Sequence, residues 1–234
     1  AGVRVLALAR SAERADGLRA QGIRPLRGDL DQPATLQRLA GLATHVLHLA
    51  PPPGGGPGDA RTRELLRALA RRSAPQALVY GSTSGVYGDA AGAWVDETRS
   101  PRPGTDRARA RLAAEGWVRA FGRALGTRAS VLRIAAIYAP DRADAPRARL
   151  AGGAPVLAPA DDVWTSRIHA DDLARACPLA LWRGRPQRVL NACDDTPLKL
   201  GDYFDLAARL YGLPQLPRIP RAEAEQRFTP QRLS

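Results

Sequence analysis

The apolar run Ala77-Leu78-Val79-Tyr80 leads directly into Gly81, three hydroxyls at Ser82, Thr83 and Ser84, and a turn that closes on Gly85-Val86-Tyr87-Gly88. In an open parallel sheet, bound molecules lie beyond the carboxyl ends of the strands, so hydroxyls released there suit hydrogen bonding to an oxygen-bearing ligand. A Ser/Thr-rich loop after a buried strand is the alternative reading of the same residues. A second group of candidates, Arg107 and Arg111, lies one helical turn apart with Glu115 four residues further on. Two guanidinium groups at that spacing suit either an anion clamp or an ordinary solvated helix face, with Arg111 and Glu115 as an i,i+4 pair.

Positioning such groups needs a regular scaffold, and the chain alternates strand-length apolar runs with longer segments of helical period. That alternation predicts an α/β, doubly wound parallel sheet. The predicted strands are Val3–Ala9, Ile23–Leu26, His45–Ala50, Ala77–Ser82 and Ser130–Tyr138, with a late one at Arg188–Ala192. Ser11 is placed to cap a helix running to Ala20, and Gly22 to end it. Asp31 is placed to cap a helix over Pro33–Leu42; Arg61–Arg72 and Asp106–Leu125 form two more, the second stopped by Gly126. Prolines at 140, 146, 155 and 159 then break the pattern before helices at Ala170–Leu181 and Leu200–Tyr211, so residues from about 139 to 234 are expected to contribute a small lobe to one domain spanning 1–234. The run from Pro51 to Pro57 reads as a loop between a strand and its crossover helix.

Composition bounds the rest. A chain of 234 residues, 44% of them apolar, has enough material for one sizeable core. No run approaches the roughly 20 uncharged apolar residues of a membrane helix, and no secretory h-region opens the sequence, so a cytoplasmic protein without membrane partners is expected. Cys177 and Cys193 support neither a disulfide framework nor a zinc cluster and read as buried free thiols. His45, His48 and His169 are not spaced with carboxylates as metal ligands. The formal charge of +12 would suit nucleic acid, but among 35 basic residues only Lys199 is lysine, and the arginines are scattered through Ala-rich amphipathic segments. That scatter predicts a solvated basic surface and not a phosphate-tracking stripe.

Five stretches together resemble the extended and atypical short-chain dehydrogenase/reductases, specifically the NAD(P)-dependent epimerase/dehydratase-like group. They are Gly28-Asp29-Leu30, His48-Leu49-Ala50, Ser82 to Gly88, Arg133 to Pro140 through Tyr138, and Arg167-Ile168-His169-Ala170-Asp171-Asp172-Leu173. The resemblance covers nearly the whole chain and implies a Rossmann-type fold with a small C-terminal substrate lobe. It also implies that the family's first strand and its glycine-rich phosphate turn are missing from this sequence; Gly54-Gly55-Gly56 follows a different strand and is no substitute for that turn. At the end of Val3–Ala9, where such a fold places an acid for a ribose hydroxyl or an arginine for a 2′-phosphate, stand Arg10 and Ser11, which favours NADP over NAD. By resemblance Asp29 and Leu30 meet the adenine, Leu49 and Ala50 line the adenosine wall, and Ser82 and Tyr138 lie along the cofactor. Asp29 equally suits a turn that caps its own backbone.

The resemblance assigns the family's catalytic serine or threonine to Thr83, and it places Arg107 and Arg111 where the family carries the tyrosine and lysine of Y-x-x-x-K. Arginine cannot serve as a proton donor near neutral pH, so the usual acid/base pair is replaced. Tyr87 is the alternative proton-transfer group, while Ser84, Arg107, Arg111 and Trp164 are the groups expected to meet a small-molecule substrate. Trp94 and Trp164 equally suit packing at a lobe surface. His169 is expected to help structure, and Asp171 or Asp172 to cap the following helix or complement its dipole. The implied activity is an NADP(H)-dependent oxidoreductase, epimerase/dehydratase-like, acting on a small carbonyl or hydroxyl substrate, a class that includes sugar nucleotides. The alternative is a catalytically silent NAD(P)-binding redox sensor or scaffold. A homodimer through Asp106–Leu125 is the family-based expectation for assembly.

Overall fold

The computed structural model describes residues 2–140 and 146–228. Its elements begin with strand β1 (Leu6–Ala9), helix α1 (Ala12–Ala20) and strand β2 (Arg24–Arg27). Ser11 sits in extended conformation and its hydroxyl accepts the Arg14 N–H at 3.2 Å; Glu13 in the first turn of α1 and Arg19 in the last complement the helix dipole. A 3-10 segment, Pro33–Leu39, leads to β3 (His45–His48), α2 (Ala60–Leu69), β4 (Ala77–Thr83) and a 3-10 turn, Ser84–Tyr87. The long helix α3 (Asp106–Leu125) starts at the Thr105 cap and stops at Gly126, which adopts the left-handed conformation a glycine accepts without strain. After it come β5 (Arg128–Ile134), β6 (Ala136–Tyr138), α4 (Pro146–Ala151), β7 (Val156–Leu157), β8 (Trp164–Thr165) and β9 (Arg167–His169). The chain continues through α5 (Ala170–Arg183), β10 (Val189–Ala192), β11 (Leu198–Lys199), α6 (Leu200–Tyr211), β12 (Arg218–Ile219) and α7 (Arg221–Arg227).

Two compact units emerge. The first comprises residues 1–82, 105–132 and 179–189, and the second residues 83–104, 133–178 and 190–234. The second unit therefore takes in the segment after Ser82 and part of the lobe expected from about residue 139, while residues 179–189 of that lobe belong to the first unit. In the first unit β1 and β2 pair in parallel, Leu6 opposite Arg24, as a sheet of their own. A four-stranded sheet has the order β10-β5-β4-β3, with β3 and β4 parallel and His48 opposite Tyr80. Leu65, Leu66 and Leu69 of α2 and Ala114, Val118 and Phe121 of α3 pack with Leu78, Tyr80, Ala129 and Val131 from the strands. Each such leucine, valine or phenylalanine contributes about 1.5–3 kcal/mol by leaving water.

The second unit is held by short pairings and one charged knot. β12 runs parallel to β7, β11 antiparallel to β8, and β6 parallel to β9 with Tyr138 opposite His169. Leu150, Val156, Phe204, Ala207, Ala208 and Leu216 form its main apolar cluster. Arg218 donates to Asp162 at 3.0 Å, Asp205 at 2.6 Å, Asp202 at 3.2 Å and the Leu157 carbonyl at 2.9 Å. The Asp162 side chain is fully buried and also accepts the Gly201 N–H, and a Cβ at Gly201 would run into the Arg218 guanidinium. A buried carboxylate is tolerated there because the Arg218 guanidinium and the Gly201 and Val163 N–H groups donate to it.

Several sequence expectations change. The predicted strand Ser130–Tyr138 divides at Ala135: the Ala135 N–H bonds to Ala192, whereas Ala136 turns to pair with Arg167 of β9. Asp31 does not cap the next helix. Gln32 holds the cap position without a side-chain bond, the segment is 3-10, and the Asp31 carboxylate is taken by Arg61. Cys177 is buried as expected, but Cys193, just past β10, is exposed.

Candidate functional site

In the first unit the strand ends carry the residues expected on the adenosine side. Arg10 follows β1, is exposed, and has no hydrogen-bond partner among the described residues. Ser11 beside it is the α1 cap. Asp29 builds an Asx turn, its Oδ1 accepting the Asp31 N–H at 3.0 Å, while its own N–H donates to Thr35 Oγ1 at 2.9 Å. Leu30 packs partly buried against the main core. Leu49 is 46% exposed, and the half-buried Ala50 offers its carbonyl to Arg111.

Beneath these loops lies a buried polar network that the sequence reading missed. Arg111 Nη1 donates to the carbonyls of Gly81 at 2.6 Å and Ala50 at 3.0 Å and to the Tyr80 hydroxyl at 3.2 Å. Tyr80 donates to Asp59 Oδ2 at 3.2 Å, and Thr62 Oγ1 donates to the same oxygen at 2.6 Å. With its single proton used there, Thr62 must accept from His48 Nε2 at 2.8 Å, which fixes the histidine tautomer. Two donor chains thus converge on Asp59, whose Oδ1 also accepts the Thr62 N–H and caps α2. Burial, offset in part by Asp59 and reinforced by Arg111, lowers His48 from 6.5 to about 4. Burial likewise pushes the Tyr80 phenol up to about 12 despite Arg111. The spacing Asp59-x-x-Thr62 at a helix start was the legible signal for half of this network, since it is a capping pattern.

That geometry separates the two helix arginines. Arg107 is exposed, whereas Arg111 is 6% exposed and aimed into the network, with its Nε buried and unpartnered. They do not share one surface, because Arg111 is drawn to the strand-end carbonyls. Glu115, read as an exposed partner of Arg111, is buried and accepts Ser82 Oγ at 2.5 Å. Ser82 therefore faces helix α3.

In the second unit Thr83 Oγ1 accepts the Gly85 N–H at 3.2 Å and caps the 3-10 turn, so its own proton has no acceptor among the described residues. Ser84 is half-buried. Tyr87 is 5% exposed; its hydroxyl donates to Asn191 Oδ1 at 2.8 Å, and the Arg133 guanidinium lies 4.7 Å from its ring centre. Asn191 is fixed in turn by Glu97 and the Val95 carbonyl. Gly88 closes the turn at φ 70°, where a Cβ would run into the Arg102 carbonyl. Tyr138 stands edge-on to His169 at 5.1 Å and to Tyr203 at 6.3 Å, and Arg167 stacks on Tyr203 at 3.7 Å. Burial first, then the Asp194 and Asp172 carboxylates, hold the Tyr138 phenol above its usual value. His169 Nδ1 accepts the Asp171 N–H at 3.2 Å, and Asp172 pairs with Arg175 in the first turns of α5. Trp164 is 53% exposed with Lys199 5.7 Å from its ring, and Trp94 is 89% exposed.

Among the described residues no three His, Cys, Asp or Glu side chains gather as metal ligands, and no helix is long and apolar enough to cross a membrane. The NAD dependent epimerase/dehydratase family matches residues 1–193. No curated protein matches the sequence. A functionally unknown conserved protein from Silicibacter pomeroyi DSS is 33% identical, with a TM-score of 0.77 over 97% of this chain and 76% of its own. RMD from Pseudomonas aeruginosa, solved with NADPH, is 20% identical with a TM-score of 0.72 over 94% of this chain and 88% of its own. UDP-glucose 4-epimerase from Thermotoga maritima, solved with UDP-glucose, is 20% identical with a TM-score of 0.70 over 94% of this chain and 86% of its own. These last two likenesses establish the Rossmann-type fold.

Proposed function

We propose, from the premise that the chain belongs to the NAD dependent epimerase/dehydratase family, that it binds NADP(H) and acts as an oxidoreductase on a carbonyl or hydroxyl substrate of the sugar-nucleotide kind. The observation that carries the cofactor preference is Arg10, an exposed guanidinium at the end of β1 with no hydrogen-bond partner among the described residues, followed by the Ser11 cap of α1. A guanidinium offers two parallel donors to a 2′-phosphate, where an acid would repel it. Asp29 and Leu30, with Leu49 and Ala50, take the adenosine side, and Tyr138 lines the remainder of the cofactor; Ser82, first expected there, is committed to Glu115 and ties α3 to the strand end.

A bound nicotinamide supplies the hydride chemistry. Thr83 holds the reacting oxygen: its Oγ1 already accepts a backbone N–H, which leaves the hydroxyl proton to donate to a substrate oxygen. Tyr87 is the group proposed to deliver the proton, and doing so requires its hydroxyl to exchange Asn191 for substrate. Ser84, Arg107 and Trp164 are the groups proposed to meet the substrate, and the Arg111 guanidinium fixes the Ala50 and Gly81 carbonyls at the strand ends of the first unit.

One observation favours a second reading, cofactor binding without turnover. The position matching the family's lysine is a guanidinium committed to backbone carbonyls and Tyr80, and the position matching the tyrosine is Arg107, which cannot donate a proton near neutral pH. NADPH carrying deuterium at the transferable position, incubated with a panel of keto-sugar nucleotides and small ketones, separates the two. The proposal expects deuterium in a product by mass spectrometry, and a drop of at least a hundredfold in Thr83→Val, in line with the usual share of general acid catalysis. Tight NADPH binding with no label transferred to any of the panel selects the silent reading.

A further inference from the structure

Two loops of the first unit carry the residues proposed for the adenosine: the turn Asp29-Leu30-Asp31 after β2, and Leu49-Ala50-Pro51 after β3. A single side chain spans them. Arg61, in the first turn of α2, donates through Nε to Asp31 Oδ1 at 2.7 Å and through Nη2 to Asp31 Oδ2 at 2.6 Å, while its Nη1 donates to the Pro51 carbonyl at 3.1 Å. The two-toothed pairing fixes the plane of the carboxylate as well as its distance, and Arg61 is only 21% exposed. A cation at a helix N-terminus opposes the helix dipole, so its placement in α2 is not explained by helix stability. The turn it grips is otherwise closed by local bonds, Asp29 to Asp31 and Thr35 to Asp29 and Gln32, with Leu30 packed on the core.

We infer that Arg61 is a positioning residue for the adenosine half of the cofactor, a clasp that holds the Asp29–Asp31 turn and the Ala50–Pro51 backbone in one fixed spacing. The inference rests on the cofactor reading above. Without the clasp the two loops must be ordered by the ligand itself, and that ordering cost subtracts from affinity. Asp31, once released from Arg61, keeps Arg10 as a nearby cation, so it competes with a 2′-phosphate for that guanidinium and weakens binding further.

The test is calorimetric titration of the full chain and of Arg61→Ala, Arg61→Lys and the swapped pair Arg61→Asp/Asp31→Arg with NADPH and with 2′,5′-ADP, the adenosine half alone. Arg61→Ala should weaken both ligands by the same factor, about tenfold, with an unchanged melting temperature. Arg61→Lys, which keeps the charge but loses the fork, should fall between. The swapped pair should recover part of the loss. Unchanged affinity in Arg61→Ala, or a loss for NADPH that 2′,5′-ADP does not share, overturns the clasp while leaving cofactor binding intact. Failure of the unmodified protein to bind either ligand overturns the cofactor reading, and the clasp with it.

Discussion

His48 is neutral in the folded protein because its ring is enclosed and its Nε2 proton is committed to Thr62. In the unfolded chain the same ring takes up a proton near 6.5, so the folded pKa of about 4 sets a window. Above 6.5 both states are neutral and the contribution to stability is whole. As pH falls from 6.5 towards 4 the unfolded state gains the proton first and stability is lost, by about 3.5 kcal/mol at most at about 1.4 kcal/mol per unit. Denaturant unfolding of wild type and His48→Gln across that range should show the wild-type curve falling more steeply; parallel curves would place the histidine outside the network. The sequence offered this residue as an unlikely metal ligand and as the start of the His48-Leu49-Ala50 stretch, but nothing local to residue 48 announces partners at 59, 62 and 80. Arg111 was equally opaque. Its spacing to Glu115 fits a surface pair, and only the depth of α3 against β4 turns both groups inward.

At the scale of elements, periodicity and caps located most of the helices. Ser11 and Gly126 mark helix ends by local chemistry that no distant contact overrides. The failures came where a long-range partner decided the outcome: Arg61 takes Asp31 from its capping role, and β9 draws Ala136 away from the line of β5. The strand end at Ser82 and the turn through Gly88 were legible as a unit. Gly88 explains why the turn is built as it is, because its φ of 70° and the closeness of the Arg102 carbonyl exclude any side chain. Gly88→Ala should therefore cost about 2–4 kcal/mol, from backbone strain added to a steric clash. Thermal unfolding checks it, and a change below about 0.5 kcal/mol would show that the turn readily adopts another conformation.

Across the whole molecule the charge of +12 must be weighed against any claim about a phosphate-bearing ligand. Among the described residues, five of the arginines are paired one turn apart within their own helices, Arg19 with Asp16, Arg67 with Glu64, Arg109 with Asp106, Arg175 with Asp172 and Arg227 with Glu223. The remaining excess attracts any anion at low salt and says nothing about which phosphate is read. A local guanidinium does discriminate, because the extra phosphate of NADP sits at one end of the molecule. The decisive measurement is therefore a parallel titration of NADPH and NADH at physiological ionic strength, followed by energy transfer from tryptophan to nicotinamide, in wild type, Arg10→Ala and the neighbouring control Arg14→Ala. Tighter binding of NADPH, lost by about tenfold or more in Arg10→Ala alone with NADH unaffected, is the predicted result. Equal affinity for the two cofactors, or an Arg10→Ala variant that keeps the wild-type preference, would contradict the assignment of Arg10 and with it the NADP(H) reading.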